Sequence, residues 1–136
     1  MYELLELGRN QIKVDIETLM MVDSLKMSTT ERQYIIEKCL ETPNSKIVIT
    51  HGTDTMVDTA RQLADNIKNK TIVLTGAMIP FKFGSSDGLF NMGSALSFVQ
   101  ALGKGVYIAM NGQIFSQENV KKNNKLGIFE EIEGLG

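Results

Sequence analysis

Residue types that often carry chemistry or staple small proteins are scarce in this 136-residue sequence. There is one cysteine, Cys39, so no internal disulfide can form. Its helical, apolar surroundings favour a buried thiol over a reactive one. There is also one histidine, His51, so a zinc site would need carboxylate ligands, which is uncommon. We therefore expect no metal site.

Strong charge and long apolar runs are also missing. The 14 basic and 16 acidic residues give a formal charge of −2, which offers no electrostatic reason to expect nucleic acid or an anionic membrane as a partner. No apolar run approaches the length of a membrane span. Residues 1–7 carry acids where a signal peptide carries bases, so we predict a cytoplasmic protein. The glycine fingerprints of dinucleotide and phosphate-binding loops are absent as well.

What the sequence does contain is a packed α/β pattern. Hydrophobic residues make up 43% of the chain, enough for one domain, which we place at residues 1–136. Continuous apolar runs alternate with helical patterns over residues 45–110, which predicts a mainly parallel sheet covered on both faces. The fold class is thus a three-layer, Rossmann-like α/β domain. The pair Asn111-Gly112 predicts a β-hairpin near residues 105–115.

Individual elements follow from periodicity, capping signals and turn residues. We predict strands over 12–16, 47–50, 71–75, 105–110, 113–115 and 127–129, a buried apolar run over 19–22, and helices over 56–67 and 90–102. A further helix begins at the capping box of residues 28–31. Residues 120–125 read as a polar, basic loop.

Hydroxyl and acid side chains follow the predicted parallel strands. Ligands of such sheets bind beyond the carboxyl ends of the strands, where Ser24, Thr53, Asp54 and Ala77 fall. A threonine hydroxyl needs a base to become a nucleophile, and a lysine with a lowered pKa can serve. Lys122 is a candidate base, and Asp54 could orient it or bind a substrate ammonium group.

Each of these residues also has a plainer interpretation. Thr, Asp and Thr ahead of a helix are the residues that N-capping selects. Ser24 suits a turn, Lys122 lies in a stretch typical of a solvated loop, and Asp87-Gly88 suits a turn and helix start. Residue types alone favour these structural roles over catalysis.

The combined pattern resembles the bacterial-type L-asparaginase family. Residues 49–56, Ile-Thr-His-Gly-Thr-Asp-Thr-Met, are similar to its second threonine signature, and 73–80, Val-Leu-Thr-Gly-Ala-Met-Ile-Pro, to its next strand and loop. The resemblance continues, in the same order along the chain, through Val-Asp-Ser at 22–24, Ser-Asp-Gly at 86–88 with Asn91, Asn-Val-Lys-Lys at 119–122, and Phe129 with Gly-Leu-Gly at 134–136.

The resemblance implies an amidohydrolase without a cofactor, which converts L-asparagine, and in some members L-glutamine, to the acid and ammonia. It implies a catalytic group of Thr53, Asp54 and Lys122. It also implies that Ser24 holds the substrate α-carboxylate, Asp54 its α-amino group, and the Ala77 backbone its amide. His51 is interpreted as structural.

The sequence also departs from the family pattern. Two parts of the family pattern have no counterpart here: the first strand, which ends in Thr-Gly-Gly-Thr-Ile and supplies a first threonine usually given as the nucleophile, and the C-terminal domain. Leu25-Lys26 and Lys125 replace polar residues that are usual there. We expect exposed strand edges and hence a homo-oligomer or a complementing chain. Three hypotheses stay open: an active asparaginase, a catalytically impaired relic that binds a small amino acid, and one part of a split enzyme.

Overall fold

The computed structural model describes residues 2–20, 24–79 and 86–133. Its helices and strands are, in chain order, α1 (Tyr2–Leu7), a 3₁₀ helix (Ser24–Lys26), α2 (Thr29–Glu41), β1 (Lys46–Thr50), α3 (Met56–Asn66), β2 (Thr71–Thr75), α4 (Gly88–Ala101), β3 (Gly105–Met110), β4 (Gln113–Ser116), β5 (Lys121–Asn123) and β6 (Ile128–Glu130).

The main sheet has the order β1-β2-β3-β4. β1, β2 and β3 are parallel, with Thr50 opposite Thr75, and β4 returns antiparallel to β3. Because strands β1 to β3 are connected through helices, the observed architecture confirms the predicted α/β fold with a mainly parallel sheet. β1 forms one edge of this sheet and pairs only with β2 among the described residues.

Helices cover both faces of the sheet, as the apolar strands require. Along β2 the side chains alternate, so Ile72 and Leu74 pack with α2 and α3, whereas Val73 packs with α4. All three side chains are fully buried. A strand buried on both faces has a continuous apolar sequence because neither side meets water.

The hairpin between β3 and β4 follows from its two turn residues. Asn111 has φ 51° and Gly112 has φ 86°, and Met110 pairs with Gln113 across the turn. Two consecutive positive φ values define the turn that matches the twist of the flanking strands, and Asn-Gly adopts it readily. The predicted hairpin is therefore confirmed.

The predicted strand over residues 12–16 is wrong. Residues 11–20 form no strand, and Ile12 and Val14 are 39% and 36% exposed. An alternating pattern becomes a strand only when a neighbouring strand takes its hydrogen bonds, and the described sheet supplies none here. Of the predicted buried run over 19–22, Leu19 and Met20 pack against the core and the last two residues lie outside the described part.

A small second sheet differs from the prediction of a polar loop over residues 120–125. β5 and β6 pair antiparallel, with Lys122 opposite Phe129. Val120 and Phe129 are buried in the main core, and the Arg61 guanidinium donates to the Val120 carbonyl. These contacts dock the small sheet on the domain and fix the position of Lys122.

Candidate active site

The carboxyl edge of the parallel sheet brings the segments after β1 and β2 together. The His51 amide donates to the Thr75 carbonyl at 2.9 Å, which extends the β1–β2 ladder by one bond. A Cβ added at Gly76 would lie 2.3 Å from the His51 carbonyl oxygen. Only glycine permits this approach, so the loop at 76–79 lies against the segment that leads to Thr53.

Lys122 bridges the two polar side chains at the end of β1. Its Nζ donates to Thr53 Oγ1 at 2.9 Å and to Asp54 Oδ1 at 2.8 Å. Lys122 lies 69 positions after Thr53 and 68 after Asp54 in sequence, and the docking of the small sheet brings it into contact with both. The Lys122 amine is therefore within hydrogen-bond distance of both the Thr53 hydroxyl and the Asp54 carboxylate.

The strand geometry of β5 distinguishes Lys122 from its neighbour. Successive side chains of a strand face opposite sides. Lys122 faces the Thr53 segment and its side chain is 13% exposed, whereas the Lys121 side chain is 54% exposed and lies 3.7 Å from Glu130. The interpretation of Lys122 as part of a solvated loop is therefore wrong.

The interpretation of Thr53 and Asp54 as helix caps is not what the structure shows. The N-cap of α3 is Thr55, and its side chain makes no capping bond. Thr53 and Asp54 precede this cap and contact Lys122 instead. Asp54 is exposed and Thr53 is half-buried, so both groups are in part open to solvent.

His51 supports the backbone ahead of Thr53. Its Nδ1–H donates to the Gly52 carbonyl at 2.6 Å, and its Nε2 accepts from the Thr59 hydroxyl at 2.8 Å. Thr59 in turn accepts from Arg32 Nε at 3.0 Å. Burial lowers the pKa of His51, against a smaller raising effect of the Gly52 bond. A neutral ring with this tautomer satisfies every one of these contacts.

The two remaining predicted residues are placed less completely. Ala77 is half-buried in the loop after β2, at the same edge of the sheet as Thr53. Ser24 begins the 3₁₀ helix, and its side chain lies outside the described part of the structure. The role of Ser24 as a carboxylate-binding residue stays a prediction.

Sequence reasoning missed the contacts of Asp87. This residue occupies the N-cap position of α4, but its side chain makes no capping bond there. Its carboxylate instead accepts from the amides of Met78 and Ile79, both at 3.1 Å. Asp-Gly before a helix suggested only a turn and helix start, and no local signal pointed to a partner eight or nine residues earlier.

The fold belongs to a recognised class of protein. The Asparaginase, N-terminal family model matches residues 2–131, and this chain belongs to that family.

Among individual relatives, the chain is 40% identical over 84 residues to the L-asparaginase of Thermococcus kodakarensis. The aligned region covers 60% of this chain and 26% of the relative. It is 35% identical over 116 residues to the glutaminase-asparaginase of Pseudomonas fluorescens. This aligned region covers 78% of this chain and 32% of the relative. The solved structure of the thermostable L-asparaginase from T. kodakarensis superposes with a TM-score of 0.84 at 30% identity, over 96% of this chain and 43% of that one. The matched chain thus spans less than half the length of these relatives.

Within residues 2–20, 24–79 and 86–133, no group of three or more His, Cys, Asp or Glu side chains is arranged to hold a metal ion. No helix in the same part of the chain is long and apolar enough to cross a membrane.

Proposed function

We propose that this chain carries an L-asparaginase-like site that hydrolyses the side-chain amide of L-asparagine to L-aspartate and ammonia. The observation that carries the proposal is the bridge from Lys122 to Thr53 and Asp54, at 2.9 and 2.8 Å. A nucleophile, a base within hydrogen-bond reach and a third group that orients the base form the arrangement that nucleophilic catalysis requires.

The chemistry follows from this arrangement. Lys122 in its neutral form takes the Thr53 hydroxyl proton while Oγ1 attacks the amide carbon of the substrate. The C–N bond breaks, the proton passes to the leaving nitrogen as ammonia, and an aspartyl ester forms on Thr53. Water then hydrolyses the ester and restores the hydroxyl. A water molecule activated by the same lysine could attack the amide directly with the same products.

Substrate recognition is assigned to the surrounding groups. The Asp54 carboxylate is exposed enough to accept the α-ammonium group as well as Lys122. We assign the α-carboxylate to Ser24 and the amide to the Ala77 backbone, as the family resemblance implies. Glutaminase-asparaginases among the relatives support L-glutamine as a second substrate. No cofactor enters this scheme, and the predicted cytoplasmic location stays a prediction.

The test uses the charge of Asp54. We expect Asp54→Asn to lower kcat/KM for ammonia release from L-asparagine by about 100-fold or more, because both the lysine and the substrate ammonium lose their anion. Asp58→Asn is the matched control, since Asp58 is an exposed acid in the first turn of α3. Equal activity of both variants would overturn the proposal. Binding of L-aspartate without ammonia release from any variant would favour the impaired relic instead.

A completing chain is the second proposal, and the edge of β1 favours it. Ile47, Val48 and Ile49 are only half-buried, and β1 pairs with β2 alone among the described residues. A strand added in parallel to the outer edge of β1 would end beside Thr53, three residues beyond Thr50. We propose that residues 1–136 form one domain of the asparaginase N-terminal type and that a second copy or another polypeptide pairs there. A single 15.1 kDa species by light scattering would exclude the second copy.

A further inference from the structure

A second polar cluster lies next to the candidate active site and holds the loop that follows β2. Asp87 Oδ2 accepts from the Met78 amide and Oδ1 from the Ile79 amide, both at 3.1 Å. Oδ2 also accepts from the side-chain amides of Asn91, at 3.0 Å, and Asn111, at 2.9 Å. The Asp87 carboxylate thereby connects the loop, α4 and the hairpin turn, because it accepts hydrogen bonds from four donors.

Asn91 extends the cluster to the other side of Ala77. Its side chain is fully buried in α4, and its Nδ2 donates to the Gly76 carbonyl at 2.8 Å. Its Oδ1 accepts from the Asn111 amide at 2.9 Å. An asparagine with every polar atom engaged has a fixed orientation, so the Gly76 carbonyl is fixed as well.

These contacts determine the direction of both peptide groups that flank Ala77. The Gly76 carbonyl belongs to the first peptide, and the Met78 amide belongs to the second. A trans peptide is planar, with its N–H and C=O opposed, and no cis bond occurs among the described residues. Holding the Gly76 carbonyl and the Met78 N–H therefore turns the N–H and C=O of Ala77 away from Asp87 and Asn91.

The charge of Asp87 suits this task. Burial would raise its pKa, but the hydrogen bonds from Ile79, Asn111, Met78 and Asn91 outweigh burial, and the net effect lowers the pKa. The carboxylate thus stays ionised and accepts four hydrogen bonds. Charge-assisted bonds of this kind are stronger than neutral ones.

We propose that Asp87 is a positioning residue that fixes the Ala77 peptide groups in the orientation in which they meet the substrate amide. This inference rests on the proposed function, because only that function assigns the Ala77 backbone to the amide. Gly76 connects the two sites directly, since it approaches the backbone at His51 so closely that an added Cβ would lie 2.3 Å from the His51 carbonyl oxygen.

The first test reads the loop without any activity. In Asp87→Asn, the neutral amide accepts more weakly and turns a donor toward the loop, so we expect hydrogen exchange at Met78 and Ile79 to quicken about 10-fold or more. Asp65→Asn is the charge-matched control, because Asp65 is exposed near the end of α3. Unchanged exchange in Asp87→Asn would overturn the proposal.

The second variant avoids any change at Asp87 and keeps the turn intact. Asn111→Gly preserves the positive φ of the hairpin and removes one donor to the carboxylate. We expect the pKa of Asp87, followed by the carboxyl ¹³C resonance, to move up toward its ordinary value, with the Met78 amide resonance titrating in parallel. An Asp87 carboxyl resonance that titrates with the same pKa in Asn111→Gly as in the unsubstituted chain would contradict the hydrogen bond from Asn111 to Asp87.

The kinetic test separates this inference from the proposed function. We expect Asp87→Asn to lower kcat for ammonia release by about 10- to 100-fold with a smaller change in KM, since misplacement near the reacting atoms costs rate. We also expect Asp87→Glu to restore part of the loss. An unchanged kcat beside faster amide exchange would overturn the link to the substrate amide. Absence of turnover in the unsubstituted chain would refute the proposed function, and the exchange experiment would still decide whether Asp87 orients the loop.

Discussion

Replacing Lys122 with methionine should separate catalysis from stability. Methionine keeps the length and the apolar stem of the side chain and removes the ammonium group. The substitution therefore removes the 2.9 Å contact with Thr53 and the 2.8 Å contact with Asp54. The packing of Val120 and Phe129 in the core, which docks the small sheet, is retained. Lys121→Met makes the same chemical change one position away, on the opposite side of the strand.

The size of the stability effect follows from exposure. The Asp54 side chain is 39% exposed, so water replaces the lysine when the bridge is removed. We expect a loss of about 1 kcal/mol, as for a screened pair with one further hydrogen bond, and not the roughly 3–5 kcal/mol of a fully buried pair. For a chain of this length that corresponds to a fall in Tm of about 3–5 °C.

The effect on the reaction should be larger. Loss of a general base costs about 10²- to 10⁴-fold in rate, which is roughly 3–5 kcal/mol in the activation barrier. The assay is ammonia release from L-asparagine for the unsubstituted chain and both variants, with Tm from circular dichroism. We expect Lys121→Met to retain full activity and to lose less than about 0.5 kcal/mol. Equal activities of the two variants would show that Lys122 is not the base, and a Lys122→Met protein that does not fold would show that its amine is required for stability.

Three other predictions concern stability and reactivity. Gly76→Ala should destabilise the protein by about 1–3 kcal/mol or more, because its Cβ would lie 2.3 Å from the His51 carbonyl oxygen. Gly93→Ala should stabilise the protein by about 1 kcal/mol, because an added Cβ at this position in α4 meets nothing within 4 Å. Urea denaturation measures the free energy of unfolding of both variants. Changes of the same sign in the two variants would contradict the close contact at Gly76 and the open space at Gly93. The lowered pKa of Asp87 contributes stability above its ordinary value of 3.8, and this is lost as pH falls through the folded-state pKa. Asp87→Asn should therefore flatten the acid side of the pH–stability curve, measured by the same denaturation. Burial raises the pKa of Cys39 to about 11, so thiol reagents should label it slowly at neutral pH until denaturant is added. Rapid labelling of the native protein would show that the thiol is accessible.

The elements that could be predicted from sequence are those fixed by local chemistry. The hairpin depends on Asn111 and Gly112, two adjacent residues whose preference for positive φ does not need the rest of the fold. The capping box that begins α2 is local too, with the Ser28 amide donating to the Glu31 carboxylate at 2.7 Å. Such signals lie within a few residues and survive any tertiary arrangement.

Predictions that depend on distant partners were less reliable. The alternation at Ile12 and Val14 suggested a strand, but strand formation depends on a neighbour that sequence pattern cannot supply. Lys122 looked like part of a polar loop because its strand partner, Phe129, lies on the far side of a turn. Its contact with Thr53 spans 69 residues. Residue type offered Lys122 only as one candidate base, and the family resemblance placed it in a catalytic group with Thr53.

The same limit explains why Asp87 was missed. Its partners come from a loop, a helix and a hairpin turn, and Asn111 lies 24 residues away. Asn91 was a sign in the sequence that polar partners lie nearby, because it falls in a mostly apolar helix, and the structure shows its side chain fully buried. Residue type located the edge of the sheet where chemistry could occur, and the structure supplied the contacts within it.

Ammonia release from L-asparagine, measured side by side for the unsubstituted chain and Thr53→Ala, decides whether the Thr53 hydroxyl takes part in turnover. We expect turnover that yields one aspartate for each ammonia and that is lost in the variant, since the hydroxyl held by Lys122 is the attacking or activating group. Equal turnover in both proteins, or none in the unsubstituted chain, would contradict a catalytic group of Thr53, Asp54 and Lys122 in this chain.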